Sequence, residues 1–132
     1  MELRFGQEGG FPCIRASGPM TPADNALLIE EIKRVFAPGR AHLLVICEAD
    51  VDLLQSSEEN HALQSQARAF FAGVSGGALA MAALNTVMFA VCRQFQQLAT
   101  ASRARLEVFG SVDEGREWLE KFAAADAAQA DR

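Results

Sequence analysis

Cysteine is scarce, concentrated positive charge is missing, and the chain does not open like a secretory leader. The three cysteines, Cys13, Cys47 and Cys92, are odd in number, far apart and each set in an apolar segment. That excludes a disulfide framework and assigns them as small core residues in a reducing compartment. Net charge is −5, and Arg34, Arg40, Arg68, Arg93, Arg103 and Arg105 are scattered along the chain. No stretch concentrates the positive charge that neutralises phosphates, so nucleic acid is excluded as a partner. The first ten residues, MELRFGQEGG, contain no basic region leading into an apolar core. A cytoplasmic location is the expectation that follows.

What the sequence does have is a long uncharged run. From Ala69 to Cys92 no residue carries a charge. A membrane-spanning helix needs about 20 predominantly apolar residues, so length alone permits one. The interior of the run opposes it: Gly73, Gly76 and Gly77 cluster near its start, and Asn85-Thr86 sits in its middle. Glycines break a helix and asparagine favours the position just before one. The run therefore parses as a loop, a buried strand over 78–84 and an amphipathic helix from Asn85, with no transmembrane span.

The rest of the chain alternates strand and helix signals. Residues 3–5 and 13–17 are short apolar-rich runs around a Gln7-Glu8-Gly9-Gly10 turn, which predicts a hairpin. Thr21-Pro22-Ala23-Asp24 predicts a helix start: threonine caps, proline is tolerated at the first position, and aspartate suits the dipole. Leu28, Ile32, Val35 and Phe36 then recur at helical spacing until Pro38-Gly39. HLLVIC, residues 42–47, reads as a buried central strand. Ser56-x-x-Glu59 is a capping box ahead of Leu63, Ala67, Phe70 and Val74, and Met88, Val91, Cys92, Phe95 and Leu98 form one stripe of the next helix. RLEVF, residues 105–109, alternates as a half-exposed strand does. Ser111-x-x-Glu114 opens a last helix with Val112, Gly115, Leu119 and Phe122 inward and Trp118 beside them.

The expected order is β-β-α-β-α-β-α-β-α, an α/β fold with one mixed sheet of about five strands and about four helices. One domain is expected over 1–122. Residues 123–132 have no bulky apolar side chain and are expected to form a frayed or disordered tail.

This order and punctuation resemble the STAS-type domains of the SpoIIAA-like group, which in outline also resemble Sec14 (CRAL-TRIO) lipid carriers. Gly18-Pro-Met-Thr21-Pro-Ala-Asp24 resembles the group's entry to its first helix. His42 to Cys47 occupies its central strand, and Leu106-Glu-Val-Phe109 with Asp113 to Leu119 resembles its closing strand and helix. The resemblance implies a regulatory, non-enzymatic interaction module. Anti-sigma-factor antagonists in the wider family carry a phosphorylatable serine in a D-S-S-G turn. Here Asp52 is separated from Ser56 and Ser57, and the glycine is absent. The two serines are weak phosphosite candidates and better N-caps.

Asp50, Asp52, Glu58, Glu59 and His61 gather after the central strand, where they invite a metal reading. A solvated acidic loop and helix N-terminus explains them more simply, so no metal or cofactor is assigned. Gly73-Val-Ser-Gly76-Gly77 precedes a strand, whereas a phosphate cradle must open a helix. His42 begins a strand, and no nucleophile set has support, so no catalytic residue is assigned. Phe70, Phe71, Met88 and Phe89 are large or soft side chains on the second and third helices. Phe71 and Phe89 fall off the expected inward stripes, which makes these four the candidates for self-association, a protein partner, or an apolar ligand or lipid. The first reading is thus an interaction module, the alternative a carrier or sensor for an apolar ligand or lipid, and an enzyme comes third.

Overall fold

The computed structural model of the chain describes residues 1–36, 42–73, 77–98 and 105–130. Strands β1 (Glu2–Glu8) and β2 (Phe11–Ser17) form an antiparallel hairpin. Its two turn residues, Gly9 and Gly10, have φ of 60° and 86°, the double left-handed geometry that suits the twist of a two-residue hairpin and that glycine adopts without strain. Next come β3 (Pro19–Met20), α1 (Pro22–Phe36), β4 (His42–Cys47), β5 (Asp52–Leu53) and α2 (Ser57–Ala72). The chain closes with β6 (Ala78–Ala83), α3 (Thr86–Leu98), β7 (Arg105–Phe109) and α4 (Val112–Ala130).

The main sheet has the order β1-β2-β4-β6-β7, parallel except for the β1–β2 pair. The five-stranded mixed sheet with four helices is the architecture read from the sequence. A second ladder, β3 with β5, was not anticipated; strands of two residues are too short to show a periodicity. Residues 123–130, expected as a tail, continue α4 to Ala130. Alanine, abundant there, has the highest helix propensity.

The uncharged run resolves as expected where it is described, with β6 and α3 separated by Leu84 and Asn85. No helix among the described residues is long and apolar enough to cross a membrane.

Every residue of β6, and all of β4 after His42, is buried. Leu43, Val45, Cys47, Leu79 and Met81 enter the core beneath α1, α2 and α3, whereas Leu44, Ile46, Ala78, Ala80 and Ala82 meet α4 on the other face. The alanines let α4 lie close. A β-carbon on Gly115 of α4 would fall 3.1 Å from Leu44 Cδ1, tighter than most such contacts, and 3.6 Å from Ala80 Cβ, in ordinary van der Waals contact. Arg116 ties the same helix to the hairpin, with Nη1 3.2 Å from Asp113 and 3.9 Å from Glu8. Arg15 joins Glu8 to Glu48 at 3.3 and 3.0 Å.

The close seat of α4 generates a prediction. Ala80→Leu inserts three carbons where there is no room, and is expected to cost about 1–3 kcal/mol. Chemical denaturation measures it, and Ala72→Leu, on the exposed end of α2, serves as the control with little change.

Candidate functional site

The loops at the C-terminal ends of the parallel strands converge on residues 48–56, and polar contacts hold that segment from three sides. The Asn85 side-chain amide donates to Ala49 O at 3.2 Å and Val51 O at 2.9 Å. Its Oδ1 accepts from Met88 N at 2.8 Å, which caps α3. One side chain therefore starts a helix and clamps a loop. Leu54 N donates to Met20 O at 2.8 Å and Val51 N to Glu48 O at 3.1 Å. Gln55 bridges to α2 through Asn60 at 2.8 Å, and buried Asn25 of α1 reaches Gln55 at 3.4 Å.

The adjoining helix starts are equally fixed. Ser56 Oγ accepts from Glu59 N at 3.2 Å while Glu59 Oε1 accepts from Ser56 N at 3.0 Å, the reciprocal box expected from the sequence. Thr21 and Asp24 make the same exchange at the start of α1. The Thr21 backbone N–H and hydroxyl, donating to it, hold the Asp24 carboxyl below the usual carboxylate range.

Two large apolar side chains project from this braced surface. Leu54 is 49% exposed and Val87, in the first turn of α3, 66% exposed. Asp50 and Asp52 of the same segment, and Ser57, Glu58 and Glu59 at the start of α2, are exposed as well. The surface is thus apolar at two points and acidic at its rim. Sequence reasoning missed both Leu54 and Val87, because a single apolar residue in a polar context carries no periodic signal. The acidic residues weighed as metal ligands do not assemble: no group of three or more His, Cys, Asp or Glu is placed to hold a metal among the described residues.

The four apolar candidates separate. Phe71 is 5% exposed and belongs to the core, which corrects its placement off the inward stripe. The buried stripe of α2 is Leu63, Ala67 and Phe71, an i, i+4, i+8 row that leaves Phe70 half-buried at its flank. The two rings tilt together with centroids 5.2 Å apart. Met88 is buried as well, while Phe89 is half-buried and packs on the same core rather than standing free of it. Val74 lies outside the described residues.

Phe70 and Phe71 line a cavity of about 50 Å³ between α1, α2, α3 and the sheet, with Leu28, Ile29, Ile32, Ala67, Leu79, Met81, Phe95, Leu106 and the single polar group of Asn25. Met88 and Phe89 do not reach it. An apolar cavity of about 150 Å³ admits benzene, so this one is too small for an acyl chain without repacking.

The thiols are poorly suited to nucleophilic work. Cys13, Cys47 and Cys92 are free and buried. Burial pushes the Cys13 thiol up, and Cys92, hydrogen-bonded to Cys47 in the core, is held well above the usual thiol range; the same hydrogen bond lowers Cys47, which is closed off from solvent by its burial. His42 begins β4, its ring centroid 6.1 Å from that of Phe11.

These placements rank two aromatic truncations. Phe71→Ala is expected to cost about 3–5 kcal/mol, and Phe89→Ala roughly half of that, because less of its ring leaves water on folding. Melting curves of both variants measure the order; equal losses would contradict it.

No family model matches the chain, and no curated protein matches it. Among solved structures, it is similar to an uncharacterised protein of the DUF3478 family with a SpoIIAA-like fold from Shewanella loihica PV-4. The TM-score is 0.54 at 11% identity, over 89% of this chain and 92% of that one. At this identity the likeness speaks for the fold, and the fold of this chain is SpoIIAA-like.

Proposed function

We propose that this protein is a non-enzymatic, STAS-type interaction module. It recognises a protein partner through the surface formed by residues 48–56 and the start of α3. The observation that carries the reading is the combination of exposed Leu54 and Val87 with the network that immobilises their backbone. Apolar side chains on a pre-ordered backbone bind at a smaller ordering cost. The acidic residues beside them select a partner whose contact surface is apolar with a basic rim. The proposed setting is cytoplasmic, in keeping with three free buried thiols.

A second reading, a carrier for a small apolar molecule, rests on the apolar lining of the cavity at Phe70 and Phe71, which at about 50 Å³ must widen to admit one.

The test is affinity isolation of partners from the protein's own host with wild type and with a Leu54→Lys/Val87→Lys variant. Both positions are exposed, so folding stability should change by no more than about 0.5 kcal/mol per site. A partner retained by wild type and lost from the variant is the expected result; an identical partner set would overturn the assignment of this surface. Native mass spectra of the same isolates address the second reading, which predicts a retained apolar adduct.

A further inference from the structure

Strand β1 occupies one end of the sheet order, so one side of its seven-residue backbone has no strand beside it among the described residues. Such an edge is a template for another strand, and proteins commonly blunt it with proline or lysine. β1, ELRFGQE, contains neither, and its charges, Glu2, Arg4 and Glu8, are of mixed sign.

The register with β2 sorts its side chains. Leu3 and Phe5 pair with Ala16 and Ile14, whose side chains enter the core beneath α1, whereas Glu2 and Arg4 lie on the opposite face. Helix α1 runs beside β1 on the apolar side. The Met1 nitrogen is 3.6 Å from Asp24 Oδ2, and the Arg34 guanidinium sits 5.9 Å from the centroid of the Phe5 ring. Leu27, on the same helix flank, falls between those two contacts. Phe5 is 55% and Leu27 49% exposed. Two of the four large hydrophobic residues most exposed among the described residues therefore flank an open strand edge.

We propose that a second copy of this chain adds its own β1 to this edge, antiparallel, to form a continuous ten-stranded sheet across a two-fold axis. Charge and apolar pairing together choose the register. Centring the axis on Arg4 sets Arg4 opposite Arg4 of the second copy, and centring it on Phe5 sets Glu2 opposite Glu8. Centring it on Gly6 sets Arg4 opposite Glu8, which already meets Arg15 and Arg116, and leaves Phe5 opposite polar Gln7. Centring it on Leu3 sets Glu2 opposite Arg4 twice on one face and joins the two Leu3 side chains on the other. Opposite charges directly across a strand pair stabilise it and like charges destabilise it. In this arrangement the exposed rings of Phe5 and the Leu27 side chains of both copies lie on one side of the joined sheet. The dimer uses a surface distinct from residues 48–56.

Sedimentation equilibrium across a concentration series tests the proposal, with wild type expected at twice the chain mass. Glu2→Arg and Arg4→Glu each place like charges opposite one another at two points, and each is expected to raise the dimer dissociation constant at least tenfold. The double variant E2R/R4E restores the pairs and should recover wild-type affinity. Leu27→Glu, on the helix rather than the strand, should also weaken the dimer. These side chains are exposed, so melting temperatures should stay near wild type and report that folding is intact. A wild type that is monomeric throughout would overturn the proposal, as would a double variant no better than the single ones. The Leu54→Lys/Val87→Lys variant should keep the wild-type mass, which separates failure of this interface from failure of the partner surface.

Discussion

The structure depends on a pair of parallel strands, β4 and β6, that are buried on both faces. A strand with no solvent face must be covered twice, and the crossover helices between parallel strands supply the cover. Three helices cover Leu43, Val45, Leu79 and Met81 on one side, and α4 alone covers Leu44, Ile46 and three alanines of β6, Ala78, Ala80 and Ala82, on the other. Small residues let α4 sit low across β4, β6 and β7, so one helix suffices. The loops are thereby forced to the two ends of the strands, and the proposed recognition surface lies at the C-terminal end.

That surface is braced through its backbone. Loop carbonyls at Ala49 and Val51 are taken by Asn85, and the amides of Val51 and Leu54 are bonded within the loop and to β3. Asn85 links this order to α3, because the same side chain caps the helix. Immobilising these polar groups serves the core by seating Val51, which is 4% exposed, while Leu54 and Val87 stay exposed. In the proposed association, a rigid loop loses less entropy on binding. The core of the same protein argues in the opposite direction for a carrier role: its cavity is apolar but small.

Much of the fold was legible because its punctuation is local. Thr21, Ser56, Asn85 and Ser111 each announce a helix within four residues, and each accepts the hydrogen bond its position requires. The Gly9-Gly10 turn was legible for the same reason. Properties that depend on distant neighbours were not. The two-residue β3–β5 ladder has no pattern of its own. Phe70 and Phe71 are adjacent and chemically identical, and only the angle at which α2 crosses the sheet decides that Phe71 turns inward. The alanines of β6 look uniformly apolar, so their division between two faces was hidden until Leu79 and Met81 could be seen opposite α1 to α3. Leu54 and Val87 were missed because their exposure reflects what the loop and helix leave uncovered rather than anything in their own spacing.

The central claim is that residues 48–56 form a pre-ordered recognition surface held by Asn85. Amide hydrogen exchange of the free protein measures it most directly. In wild type, the Val51 and Leu54 amides should exchange far more slowly than an unstructured chain, and Asn85→Ala should release Val51 and its neighbours while β4 and β6 remain protected. Rapid exchange at Val51 and Leu54 in wild type, or protection unchanged by loss of the Asn85 amide, would contradict the account.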